Sequence, residues 1–137
     1  MKDFKIIDKV AWIHLKNKKI LSTLSKGKST YYIPGGKREG DETDQETLVR
    51  EIKEELNVDI VLNTVEYLGV YEAQSDGAIE GVKVKMTCYL SDYKGELKAS
   101  SEIEHFEWHT LSDIKKVSAV DKIIYKDLFS RGFLEWL

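Results

Sequence analysis

Residues Gly36–Val58, GKREGDETDQETLVREIKEELNV, decide how this chain is read. Thr43 and Glu46 stand at the spacing of a capping box, and Asp41, Glu42 and Asp44 suit the positive end of a helix dipole. These signals predict a helix over Asp44–Leu56. Asn57 comes next, a residue that tolerates the left-handed conformation found just past helix ends. On a helical wheel Leu48, Val49, Ile52 and Leu56 share one arc, and Glu51, Glu54 and Glu55 fill the adjacent one. Glu51 and Glu55 lie one turn apart, a like-charge spacing that destabilises an isolated helix by about 0.2–0.5 kcal/mol per pair. Charge runs are most often solvated faces, and the spacing alone leaves that reading open. Against it, the acids border the apolar arc, which would draw them toward whatever that arc packs upon. Burial and mutual repulsion would then raise their proton affinity unless a cation neutralises them. With oxygen donors and no His or Cys beside them, the suitable ion is a hard one, Mg²⁺ before Zn²⁺. Gly35 and Gly36, just upstream, allow the close backbone approach that would bring a carbonyl to the same ion.

Outward from this segment the chain reads as strands. Lys9–Leu15 alternates, with Val10, Trp12 and His14 on one face and Ala11, Ile13 and Leu15 on the other. Both faces are partly apolar, which predicts a strand buried from two sides. Asn17-Lys18 is a tight turn into Lys19–Leu24, so a hairpin is expected. Ser25–Thr30 reads as a loop, and Tyr31–Ile33 as a short extended run stopped by a turn at Pro34-Gly35-Gly36. Downstream, the β-branched Val58–Tyr71 predicts one long or two short strands, and Gln74–Gly81 a loop. In Gly81–Leu90, Val82, Val84, Met86, Cys88 and Leu90 are expected to face in, and Lys83, Lys85 and Thr87 out. A turn at Tyr93–Gly95 and a strand at Ile103–Trp108 follow. Ser112 and Asp121 would open one or two final helices, with Ile123, Ile124, Leu128 and Phe129 as the apolar stripe. The result is an α+β class, helices flanking a sheet, in a single domain over residues 1–137.

Composition narrows the function. The chain has 137 residues, 42% hydrophobic and 33% charged, with a single Pro, enough apolar material for a core and too little bias for a disordered tail. No stretch approaches the roughly 18 apolar residues of a membrane span. Charges run through MKDFKIIDK where a signal peptide would be apolar, and the lone Cys88 makes no internal disulfide. A cytoplasmic location is therefore expected. A net charge of -3 argues against a nucleic-acid polymer and for a small partner.

The residues of the opening segment also match a known pattern. Gly36, five residues, Glu42, seven residues, then Arg50-Glu51-Ile52-Lys53-Glu54-Glu55-Leu56-Asn57-Val58 resembles the Nudix box, G-x5-E-x7-R-E-U-x-E-E-x-G-U with U apolar. Asn57 stands where the pattern has its last glycine, a departure at the helix exit with little expected catalytic consequence. The resemblance implies a Nudix fold, a mixed sheet sandwiched between helices with the box as loop–helix–loop. It also implies Mg²⁺-dependent (or Mn²⁺-dependent) hydrolysis of an acid anhydride, a nucleoside diphosphate linked to X. Carried over, Glu51, Glu54 and Glu55 would be metal ligands or bases, Glu55 the most dependable ligand, and the Gly35 carbonyl would complete the shell. Arg50 would orient Glu51, and Glu42 would brace the loop. A further acid from beyond the box is expected among Glu102, Glu104 and Glu107, with Glu102 and Glu104 ahead.

For the substrate, ADP-ribose pyrophosphatases of this family typically carry a proline past the box, but Pro34 is the chain's single proline. The tyrosine of dinucleoside polyphosphate hydrolases is missing from Ala73–Gly77. These absences favour a MutT-like nucleoside triphosphate pyrophosphohydrolase giving the monophosphate and pyrophosphate. The alternatives are a nucleotide-sugar or ADP-ribose pyrophosphatase and a Nudix-like nucleotide-binding module without turnover. Tyr31, Tyr32, Tyr71 and Phe106 are candidates to stack on a base, each with a core role as its rival. His14 reads as a core or cleft histidine, His105 and His109 as loop or surface histidines, Cys88 as a buried inert thiol, and Trp12 and Trp108 as core. The apolar end Phe133, Leu134, Trp136 and Leu137 would tuck onto the domain or form a dimer contact, so monomer and homodimer both stand.

Overall fold

A computed structural model describes residues 5–75 and 81–137. The two-sided strand expected over Lys9–Leu15 is β1 (Lys5–Trp12), which starts four residues earlier and ends at Trp12, with Leu15 passing to a separate short strand. Val10 and Trp12 enter one core cluster, while Ala11, with Ile13 just beyond the strand, enters the other. β1 pairs antiparallel with β4 (Gly35–Lys37) and parallel with β7 (Val82–Leu90), and β6 (Glu66–Gln74) adds antiparallel to β7. The sheet order is thus β4-β1-β7-β6. A second sheet runs β2-β3-β9, built from β2 (Leu15–Lys16), β3 (Lys19–Ser25) and β9 (Ile103–His109). A two-stranded ladder joins β5 (Asp59–Ile60) to β8 (Tyr93–Lys94).

Helix α1 (Asp44–Leu56) covers one face of the larger sheet. Its Leu48, Ile52 and Leu56 are fully buried with Val10, Trp12, Val58 and Ile60. Each such aliphatic side chain contributes about 1.5–3 kcal/mol on burial, well above the like-charge cost of the acidic arc. Helix α2 (Ala119–Ser130) covers the opposite face through Val120, Ile124, Tyr125 and Leu128, which pack with Val84, Met86 and Cys88. The sheet is sandwiched between helices, as the fold class required. No helix among the described residues is long and apolar enough to cross a membrane.

Several expectations need correction. Gly35–Lys37 is a strand as well as the exit of a turn, because its backbone lies along the open edge of β1. Thr87 is buried rather than outward, since α1 covers the face that a one-sided sheet would leave wet. Helix α2 is capped by Ser118, three residues before Asp121, and Ser112 falls inside a 3₁₀ turn at Leu111–Lys116. The face of α2 that meets the sheet is Val120, Ile124, Tyr125 and Leu128, which leaves Ile123 and Phe129 substantially exposed. His109 is fully buried, bonded between Tyr125 and Glu107. His14 stacks on Trp12 with ring centroids 4.5 Å apart. The C-terminal end tucks in by backbone bonds from Leu111 to Glu135 and from Ser112 to Trp136, with Leu134 buried and Trp136 exposed. Most of the loop expected over Gln74–Gly81 lies outside the described residues.

The hairpin turn Asn17-Lys18 and the helix exit Asn57 take left-handed backbone, φ 53°, 59° and 59°. Asn57 also donates its N–H to the Lys53 carbonyl. Asn57→Gly is expected to leave stability nearly unchanged, whereas Asn57→Ala should cost about 1 kcal/mol. Urea unfolding midpoints of the two variants check this.

Candidate active site

The capping box forms as the sequence predicts, with Thr43 accepting from the Glu46 N–H and Glu46 accepting from the Thr43 N–H. It fixes the start of α1, and the apolar arc fixes its rotation. Together they leave Glu55 only 7% exposed, Glu51 with 14% of its side chain exposed and Glu54 with 51%. The Gly35 N–H donates to Glu55 Oε1 at 2.8 Å. Gly35 sits at φ 144°, and a Cβ there would fall 2.1 Å from the Val10 carbonyl oxygen. A Cβ on Gly36 would meet the Glu51 carboxyl carbon at 2.4 Å. Gly35 is therefore required for the backbone of β4 to lie against β1, and Gly36 leaves room beside it for the Glu51 carboxylate. Asp121 on α2 accepts from the Ile33 N–H at 2.8 Å and holds the segment leading into β4.

Arg50 ties the acids to the loop. Its Nε and Nη2 donate to the two oxygens of Glu42, each at 2.8 Å, Nη1 donates to Glu51 at 2.8 Å, and Nη2 also reaches the Lys37 carbonyl. Glu42 further accepts from the Glu39 N–H and the Thr47 hydroxyl. These donors, Arg50 foremost, hold the Glu42 carboxyl down at about 2. Glu55 moves the other way. Burial is the main cause, the Gly35 N–H opposes it and the charges of Glu51 and Glu102 add to it, so its pKa is pushed up to about 8. Glu51 is also raised, by burial first, with Arg50 opposing and Glu54 and Glu102 adding.

Beyond the box, Glu102 is the acid whose charge acts on both Glu51 and Glu55. The charge of Glu104 bears on the Tyr31 hydroxyl instead. Glu107 is taken up by Tyr31, His109 and Lys116. Of the four aromatic candidates, Tyr32 lines the cleft beside Glu55. Tyr31 bonds His105 and Glu107, Tyr71 bonds Asp127, and Phe106 packs against the α1 core. Cys88 is fully buried, and burial pushes its thiol up.

The cleft has a volume of 560 Å³, runs along β1 and β4 and is lined by Glu55 and Gly36 among others, within the usual size of a small-molecule site. Lys9, Lys28 and Lys37 also line it, and the Lys9 ammonium lies 5.4 Å from the Tyr32 ring centroid. Sequence reasoning missed these lysines. Lys37 beside Gly36 carried a signal through its position, whereas Lys28, in a polar loop, carried none.

Among the described residues no three His, Cys, Asp or Glu side chains are gathered to hold a metal ion as they stand. The donor chemistry nonetheless fits a hard dication. Glu55 is a buried carboxyl whose ionisation the protein opposes, two further acids add to that cost, and all the available donors are oxygens.

The model of the NUDIX domain matches residues 8–132. The chain belongs to the NUDIX domain family. It is 33% identical over 115 residues to an ADP-ribose pyrophosphatase of Methanocaldococcus jannaschii, covering 82% of this chain and 66% of that protein. The chain thus spans just under two thirds of that relative's length. Among solved structures it resembles the E. coli ORF135 protein, with a TM-score of 0.72, 25% identity and 93% and 91% of the two chains covered. It shares its fold with the MutT protein of Methanosarcina mazei Go1, with a TM-score of 0.76, 19% identity and 96% and 99% covered.

The Glu55 shift has a definite sign. The folded protein holds this proton more tightly than an unfolded chain at about 4.5, so stability in chelator should fall as pH rises from about 4.5 to about 8. Glu55→Gln removes that contribution, and the variant should gain on the wild type progressively toward pH 8. Melting temperatures in chelator at several pH values check this, and parallel curves for the two proteins would refute it.

Proposed function

We propose that this NUDIX domain, as one unit over residues 1–137, hydrolyses a phosphoric anhydride of a nucleotide, with a nucleoside triphosphate as its substrate class. The observation that carries the reading is the cleft that Glu55 lines together with Lys9, Lys28 and Lys37. A triphosphate tail brings about two more negative charges than the diphosphate bridge of ADP-ribose, and three ammonium groups along one cleft suit the larger charge. The products would be the monophosphate and pyrophosphate.

Glu51, Glu54, Glu55 and the Gly35 carbonyl would hold Mg²⁺ or Mn²⁺. Such an ion, when bound, supplies charge to the phosphate oxygens and eases deprotonation of water. The protein's own contribution is positioning and proton handling. Arg50 bonds Glu51 and keeps the carboxylate oriented while burial raises its affinity for a proton, which suits a base. Glu102, with Glu104 as the alternative, would supply the further acid. The lysines would bind the tail, and Tyr32 would meet the base. A small nucleotide, rather than a nucleic-acid polymer or a membrane, is the proposed partner. The cytoplasm is the proposed location, and the state a monomer or homodimer.

A second reading, ADP-ribose pyrophosphatase, is favoured by the name of the 33% identical relative. A panel of canonical and oxidised triphosphates, ADP-ribose, nucleotide sugars and a diadenosine polyphosphate separates the two. Pyrophosphate release from a triphosphate, dependent on Mg²⁺ and abolished by chelator, is the expected result. Preferential cleavage of ADP-ribose would replace the first reading by the second. Glu55→Gln should lower turnover more than about a hundredfold, beyond the cost of losing an outer-shell partner. Full activity in that variant would sink the assigned site.

A further inference from the structure

Arg38 follows β4 and does not line the cleft, yet it joins three elements. Its Nε donates to Asp8 Oδ2 on β1 at 3.2 Å, Nη1 donates to the Glu42 carbonyl at 3.0 Å, and Nη2 pairs with Asp44 Oδ1 in the first turn of α1 at 2.5 Å. The other Asp44 oxygen accepts from the Tyr89 hydroxyl of β7 at 2.5 Å, and the Tyr89 ring meets that of Tyr67 edge-on, with centroids 5.9 Å apart. Burial opposes ionisation of Asp44, but the Tyr89 hydroxyl and the Arg38 guanidinium more than offset it. The residue at the focus is Glu42. Arg38 holds its backbone carbonyl, and Arg50 holds its carboxylate and, with the same guanidinium, Glu51. The loop from Arg38 to Thr43 is thus gripped by one guanidinium on each side.

We infer that Arg38 is a positioning residue, latching the loop so that Glu42 and Arg50 keep Glu51 fixed against Gly36. The inference rests on the proposed function, since it assigns Glu51 a task that orientation can improve. Arg38 is suited to this by its planar fork, which reaches three acceptors on three elements. A lysine ammonium at the same position would reach fewer of them. Loss of the latch leaves the apolar face of α1 and both glycines in place, so the fold persists while Glu51 samples other orientations. None of the cleft lysines is a partner of Arg38, and the effect should fall on turnover more than on substrate affinity.

The test measures Mn²⁺ binding to the free protein by electron paramagnetic resonance, alongside kcat and KM on the best nucleotide of the panel. It compares wild type with Arg38→Met, Arg38→Lys and Tyr89→Phe. Arg38→Met is expected to weaken Mn²⁺ binding and lower kcat by about tenfold each, in the range for lost outer-shell partners, with KM within about twofold. Arg38→Lys should recover part of the loss. Tyr89→Phe, which keeps the packing, should have a smaller effect that is not additive with Arg38→Met. Wild-type Mn²⁺ affinity and kcat in a folded Arg38→Met protein would overturn the latch, even with a lowered melting temperature. A wild-type protein that neither binds Mn²⁺ nor cleaves any nucleotide would overturn the proposed function, and the latch with it.

Discussion

Leu48, Ile52 and Leu56 cannot be buried against β1 without carrying Glu55 in beside them. That is the constraint on which the site depends. Three aliphatic side chains outweigh one poorly solvated carboxyl, so the helix docks and the carboxyl accepts a raised proton affinity. The backbone N–H of Gly35 relieves part of the cost, and only a glycine fits so close to the Val10 carbonyl. Packing energy is thereby converted into a site that favours a cation. A cation there would neutralise a charge that the fold itself has placed out of water.

The remaining geometry follows from holding one loop still. Arg50 and Arg38 both act on Glu42, one through its carboxylate and the other through its carbonyl, and Asp121 reaches across from α2 to the Ile33 N–H. The cleft wall is therefore fixed from α1, from β1 and from α2 on the opposite face of the sheet. Irregular backbone usually moves more than the elements it connects. Here its polar groups are paired with charged side chains from α1 and α2 and with its own Arg38 and Glu42, which ties it to the frame.

What could be read in the sequence followed from how local its causes are. The capping box, the Asn57 exit and the acidic arc depend on neighbours a few residues away, and each is found where it is expected; the alternation about β1 has its two faces as expected, but the strand runs Lys5–Trp12 rather than Lys9–Leu15. Thr87 and the stripe of α2 were misread because their burial depends on which layer covers them, and β7 is covered on both faces. The strand at Gly35–Lys37 was hidden for a similar reason. Pro-Gly-Gly signals a turn locally, while pairing with β1 is set by a distant partner. Within the site, the glutamates and Arg50 were legible through their spacing. Glu102 stands level with Glu104, both ahead of Glu107, until the fold brings its charge to bear on Glu51 and Glu55.

Net charge misleads in the same way. The chain is acidic overall, at -3, and that balance argues against a polyanionic polymer. Binding responds to the local field, however, and a cleft with low-dielectric walls concentrates it. Lys9, Lys28 and Lys37 come from a strand, a loop and a second strand, with no clustering along the chain to reveal them. Folding gathers them along one 560 Å³ cleft that Glu55 of α1 also lines. On the proposed function, its lysines would meet the phosphate tail of a single nucleotide, and Glu55 the hard cation that such a tail carries. The two signs of charge within one small cleft are the physical argument for a nucleotide accompanied by a divalent ion.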